Sequence, residues 1–180
     1  MIDGSGRCSP YRTLGKPPTR GMYLVWVVTV FEALSTIAAF VPISPNLATS
    51  GQPTVEQFEL IQSAGYELVV NLAMPSSSDW LAVEAELLDR LGLEYVHIPV
   101  LWENPILDDF DRLCDLLEMN PNRKLWIHCT DNMRVSAMIY LYNRLNAKLS
   151  HEVAWRYVEQ VWQPNAVWMG LIEATLELYE

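Results

Sequence analysis

One segment constrains the fold more than any other: Lys124-Leu-Trp-Ile-His128-Cys129-Thr-Asp-Asn-Met-Arg134-Val-Ser136. Its short apolar run reads as a buried strand, and a long helical pattern begins within a few residues. A strand that passes directly into a helix is half of a βαβ unit, which requires a parallel neighbour. The turn between the two aims backbone N–H groups and the first helical turn at one spot. Such a spot favours an anion and lowers the cost of a cysteine thiolate. Arg134 adds a planar fork of donors beside it.

The remaining pattern repeats the motif. Glu67–Leu72 and Leu93–Val100 read as two further strands, the latter carrying Val96, Ile98 and Val100, and Lys124–His128 is the third. Thr54-Val-Glu-Gln57 is a capping box that opens a helix, and Gly65 stops it. Ser78-Asp79 reads as the cap of a helix through Leu91, stopped by Gly92. Leu107–Glu118 places Leu107, Phe110, Leu113, Cys114 and Leu117 on one helical face. Arg134–Leu145, Ser150–Gln160 and Asn165–Leu178 form a helical C-terminal half, with Ser150 as an N-cap and Pro164 between the last two. Strands alternating with helices predict a single α/β domain, its central sheet mainly parallel and flanked by helices. Ligands of such sheets bind beyond the carboxyl ends of the strands, where His128-Cys129 falls.

Composition narrows the functional classes. With 51% hydrophobic and 19% charged residues over 180 positions, the chain reads as one globular domain. A formal net charge of −10, without a basic cluster in its body, excludes a nucleic-acid surface. A phosphorylated substrate must therefore be held locally, against the global field. Cys8, Cys114 and Cys129 make no disulfide framework and point to a reducing, cytoplasmic setting. Cys114 fits a small buried apolar residue.

Residues 1–28 read as a leader, disordered or partly helical, and 29–180 as the domain. Phe31–Phe40 is expected to form the first domain helix. Arg7, Arg12, Lys16 and Arg20 precede an apolar stretch at 22–41 whose one charge is Glu32. Export or membrane anchoring through 22–41 is the alternative. The apolar run before Glu32 is about ten residues, whereas spanning a bilayer takes roughly 20, so membrane contact is not expected.

Cys129 is the candidate nucleophile, and Arg134 the residue that binds the transferred group. Ser136 could hydrogen-bond the thiolate, and His128 could orient the loop through its backbone or side chain. A leaving alkoxide needs a general acid from another loop. Glu103, in Trp102-Glu103-Asn104-Pro105 after the second strand, is the first choice. Asp108 and Asp109 are the second, although acids at a helix start are favoured for capping alone. The tail aromatics Trp155, Tyr157, Trp162, Trp168 and Tyr179 are expected to pack in the core.

With these residues in place, the chain resembles the cysteine-dependent protein tyrosine and dual-specificity-like phosphatases. It is similar to a bacterial branch that includes the phosphatase-like domain of beta-lactamase-hydrolase-like proteins. The resemblance covers roughly Phe31 to Glu180. It rests on Asn46-Leu-Ala-Thr-Ser-Gly51-Gln52-Pro53, on Val69-Val-Asn71-Leu72, on Trp102–Pro105, and on His128-Cys129 through Arg134 and Ser136. It implies a phosphocysteine intermediate, no metal and no cofactor, with Thr130, Asp131, Asn132 and Met133 as the phosphate-binding loop. The implied substrate is a phosphorylated protein or a small phosphoester; oligomeric state stays open.

One departure stands out. The family places five residues between cysteine and arginine, whereas four separate Cys129 from Arg134, and Val135 occupies the usual arginine position. Asn132 stands where glycine is common and tolerates a left-handed backbone better than most residues. Either the tighter loop still cradles phosphate or Arg134 points elsewhere. Four-residue spacing is also a pattern of rhodanese-like sulfurtransferases, the alternative enzyme. A phosphate-binding pseudophosphatase without turnover is the third reading.

Overall fold

The computed structural model describes residues 30–180. Five strands form one sheet: β1 (Val41–Ser44), β2 (Leu47–Ser50), β3 (Leu68–Asn71), β4 (Glu94–His97) and β5 (Leu125–His128). Their order is β1-β2-β5-β3-β4. β5 pairs in parallel with both β2 and β3, β3 pairs in parallel with β4, and only β1 is antiparallel, to β2. The helices are α1 (Val55–Ser63), α2 (Glu84–Leu91), α3 (Leu107–Met119), α4 (Met133–Leu145), α5 (His151–Glu159) and α6 (Ala166–Tyr179). This is the expected single α/β domain with a mainly parallel sheet.

Period-two alternation on β5 divides the core. Leu125 and Ile127 face the layer built by α3 to α6, with Phe110, Leu113, Met138, Val158, Trp168 and Ile172. Trp126 faces the opposite layer, with Phe58 and Ile61 of α1 and Leu87 and Leu88 of α2. Burial of such side chains contributes about 1.5–3 kcal/mol each, so both faces of β5 are strongly specified. Register Leu68↔Leu125 and Leu47↔Leu125 puts the carboxyl ends of β2, β3 and β5 level, at Ser50, Asn71 and His128.

Local signals that agree with the tertiary demand survive. The Thr54 capping box forms in both directions with Gln57, Gly92 takes the left-handed position after α2, and Ser150 and Asn165 cap α5 and α6.

Three expectations are corrected. The helix expected over Phe31–Phe40 extends only to residue 34. The chain then turns, with Ala39 at φ 47°, so that Ile37 enters the core and Phe40 stacks on Trp126 at 5.4 Å. Strands β1 and β2 were not anticipated. β1 carries Pro42, which an edge strand tolerates, and β2 reads Leu-Ala-Thr-Ser, too short and small-sided to show a strand pattern. The helix expected from Ser78-Asp79 begins at Glu84 instead, after an uncapped Val83. Ser78 spends its hydroxyl on Asp79 (3.3 Å), and Ser76 to Ser78 wall a cleft. Cys8 and the leader at 1–28 lie outside the described residues. Among the described residues no helix is long and apolar enough to cross a membrane.

Candidate active site

At the carboxyl end of β5 the chain leaves the sheet and enters α4 through Cys129–Asn132. The alternation that sends Trp126 and His128 to one face sends Cys129 to the other. Cys129 is fully buried and lies at a cleft of about 340 Å³. The loop is sewn to its neighbours by backbone bonds: Cys129 N–H donates to Ser50 O (3.4 Å), Gln52 N–H donates to Thr130 O (2.9 Å), and Asp131 bridges Gly51.

Asn132 makes the tight turn possible. It sits at φ 62° and ψ 2° immediately before α4, the left-handed region that glycine occupies most easily. Its amide Nδ2 donates to Ala39 O (2.8 Å) and Thr49 Oγ1 (3.0 Å), which locks the turn to β2 and to the chain before β1. From there α4 opens on the cleft, with Met133 and Arg134 of its first turn among the lining. First-turn N–H groups have no intrahelical acceptor and carry the positive end of the helix dipole.

Arg134 turns inward to the cleft despite its displaced position. It is 8% exposed, its Nε donates to Val100 O (3.1 Å), and its guanidinium carbon lies 5.5 Å from the centre of the Trp102 ring. The terminal nitrogens have no protein partner among the described residues. Trp102 is braced in turn. Its ring packs on Trp162 (5.2 Å) and Trp168 (5.6 Å), and its carbonyl accepts from Trp168 Nε1 (3.2 Å). Of the tail aromatics, Trp168 fills the core as expected, Trp162 is half-buried against it, and Tyr179 is exposed; the two tryptophans also back the wall of the cleft.

The structure gathers Cys129, Thr130, Asp131, Met133, Arg134 and Glu103 around this cleft, together with Ser76 to Ser78. Glu103 is exposed at its edge. It does not bring in the rest. Asp109 is buried, and its carboxylate accepts from Ile106 N–H at the start of α3 (3.5 Å). Burial, partly offset by that hydrogen bond, leaves the Asp109 carboxyl above its ordinary pKa. Asp108 is exposed on α3 and is not among the cleft residues. Ser136 does not hydrogen-bond Cys129: its hydroxyl donates to Met133 O (3.0 Å) and accepts from Trp162 Nε1 (3.1 Å).

His128 points away from the cleft. Its Nε2 lies 3.1 Å from Glu84 Oε1, with both side chains closed to solvent. Glu84 also accepts from Asn71 Nδ2 (2.9 Å) and Gln52 Nε2 (2.6 Å). Burial works to raise the Glu84 carboxyl, but the hydrogen bond and charge of His128, with the two amides, hold it below its ordinary value. Asn71 Oδ1 in turn accepts from Ala73 N–H (2.7 Å). This network joins α2, β3, β5 and the segment after β2 directly behind the cysteine loop. Sequence reasoning missed Glu84, which carries no local signal.

A strand–Cys–loop–Arg–helix at the carboxyl edge of a parallel sheet is the framework of the cysteine-based tyrosine and dual-specificity-like phosphatases. The family described as "PTP-NADK: DSP-PTPase phosphatase fused to NAD+ Kinase" matches residues 43–164, and the chain belongs to it. No curated protein matches the chain. Among solved structures, one from Shewanella putrefaciens CN-32, described as "Putative phosphatase (DUF442)", is 29% identical with a TM-score of 0.75, covering 83% of this chain and 98% of that one. The core catalytic domain of PP-IP phosphatase SIW14 from S. cerevisiae, in complex with citrate, is 16% identical with a TM-score of 0.64, covering 76% and 85%. P. aeruginosa TpbA in complex with pTyr is 14% identical with a TM-score of 0.58, covering 77% and 90%. The last two share the fold.

Proposed function

We propose that this protein is a phosphomonoester hydrolase that works through a phosphocysteine. The observation that carries the reading is the convergence of Cys129, Arg134 and Glu103 on one cleft at the N-terminus of α4. Cys129 Sγ attacks phosphorus while the ester P–O bond breaks. Arg134 and the N–H groups of Thr130, Asp131, Asn132 and Met133 hold the equatorial oxygens. Glu103 protonates the leaving oxygen. Water then attacks the phosphocysteine, Glu103 takes its proton, the S–P bond breaks, and phosphate leaves a regenerated thiolate. The chemistry needs a reduced Cys129, which suits a reducing compartment.

Arg134 supports this reading despite the four-residue spacing. The Val100 carbonyl takes Nε, which leaves the two terminal nitrogens for a bidentate grip on phosphate. Glu103 at the cleft favours ester hydrolysis over sulfur transfer, which needs no general acid.

The test is hydrolysis of an aryl phosphate by wild type, Cys129→Ser, Arg134→Lys and Glu103→Gln. Loss of activity in the first, a large drop in the second and an altered pH profile in the third are expected. Thiosulfate-to-cyanide sulfur transfer without phosphate release would establish the sulfurtransferase, and phosphate binding without turnover the pseudophosphatase.

A further inference from the structure

The charges around the cleft are unbalanced. Arg134 is the one cation among the described residues that line it. Against it stand two carboxylates, Glu103 and Asp131, both exposed at the mouth. The backbone of Asp131 is fixed beside the cysteine, bridged to Gly51 between Cys129 and the turn at Asn132. The remaining wall includes Leu101, Trp102 and Met133, which offer apolar surface and no charge. The chain as a whole carries a net charge of −10.

A phosphate monoester brings about −1.5 to −2 charges at neutral pH, and one guanidinium with a helix terminus can hold one such group. A second phosphate or carboxylate on the same substrate would lie at the mouth, within roughly 8 Å of Glu103 or Asp131 for any small carrier, a distance over which low salt leaves the repulsion largely unscreened. Sites that grip several phosphates supply clusters of lysine and arginine, and these walls have none among the described residues.

We propose that the site selects esters whose single phosphate is carried on an uncharged or cationic framework, and that Asp131 is the specificity-determining residue that disfavours polyanionic substrates. This rests on the hydrolase reading and specifies its substrate class. Glu103 is assigned to proton transfer in the hydrolase reading, which leaves Asp131 as the mouth carboxylate free to sort substrates by charge. A substrate with lysine or arginine beside its phosphate gains attraction there, and one with acids or further phosphates meets repulsion.

The experiment uses the full chain and two phosphotyrosyl peptides that differ only in three flanking lysines or three flanking glutamates. The lysine peptide is expected to have a kcat/KM higher by about tenfold or more at low salt, with the two converging as ionic strength rises. Asp131→Asn should narrow that ratio, and Asp131→Lys should abolish or invert it. Equal turnover of the two peptides, a ratio unmoved by either substitution, or faster hydrolysis of an inositol polyphosphate than of the lysine peptide would overturn the proposal. If no peptide is hydrolysed, the hydrolase reading fails, and titrating both peptides onto Cys129→Ser still decides the charge preference. Tighter binding of the lysine peptide supports it, and equal binding ends it.

Discussion

His128 Nε2 and Glu84 Oε1 lie 3.1 Å apart in a compartment that admits no solvent, on the face of the sheet opposite Cys129. The pair ties the first turn of α2 to the residue that precedes the nucleophile. Removing one member of a buried pair strands the other, which costs about 3–5 kcal/mol. Glu84→Ala should therefore destabilise the protein by that amount in urea unfolding, and Glu84→Gln by less, since the amide keeps an acceptor for His128 or Asn71. The Glu84 carboxyl is lowered in the fold from its ordinary 4.5, so its ionised form is the stabilising one. Its contribution is present above the unfolded pKa and is lost as pH falls through the lower folded value. Unfolding midpoints measured from pH 6 downward should show wild type losing more stability below about pH 4.5 than Glu84→Gln does. Parallel curves would remove Glu84 from the acid response.

Trp102 carries Arg134 on its face at 5.5 Å and is itself held by the Trp168 indole. A cation over an indole contributes about 0.5–2 kcal/mol, so Trp102→Leu should weaken inorganic phosphate inhibition, and raise KM for an aryl phosphate, by about 2- to 30-fold. Trp102→Phe should restore part of the loss, since it keeps a π face. An unchanged inhibition constant in Trp102→Leu would show that the Val100 carbonyl alone sets the arginine.

Gly51 is squeezed between two backbones. A Cβ there would lie 2.7 Å from Thr130 O and 3.2 Å from Ala38 O, and neither backbone can rotate aside as a side chain would. Gly51→Ala should push the cysteine loop out of register at a cost of about 1–3 kcal/mol, with kcat/KM falling by tenfold or more. Wild-type kinetics in a folded Gly51→Ala protein would show that the loop tolerates the shift.

Asn132 combines a left-handed backbone with two amide hydrogen bonds, and two substitutions separate these roles. Asn132→Gly keeps the backbone freedom and loses the hydrogen bonds, for a cost of about 1–2 kcal/mol. Asn132→Ala adds left-handed strain of about 1–2 kcal/mol, giving roughly 2–4 in all by chemical denaturation. If glycine is as costly as alanine, the amide bonds to Ala39 and Thr49 carry the turn and the backbone angle does not.

Much of the fold was legible because local preference and tertiary demand agree there. β3 and β5 are apolar runs, β4 falls within the Leu93–Val100 run, the helices from α3 to α6 repeat at helical spacing, and Thr54, Gly92, Ser150 and Asn165 cap where their chemistry favours. Disagreement marks the misses. Ser78-Asp79 offers a cap, yet α2 begins only at Glu84, whose carboxylate on the first turn joins the network behind the cysteine loop. β1 and β2 are four residues each and gain their strand character from pairing, β2 lying against β5 in the sheet interior.

The sequence by itself determined that Cys129 follows a buried strand, that a helix follows the cysteine, and that four residues separate it from Arg134. Periodicity and chain order hold that information, and a parallel βα unit leaves little freedom in where the turn lies. Only the tertiary structure decided where Arg134 points, which acids reach the cleft, and what stands behind His128. Those answers come from groups distant in the chain, namely the Val100 carbonyl, the Trp102 face and the Glu84 carboxylate, and no local pattern encodes a contact between them.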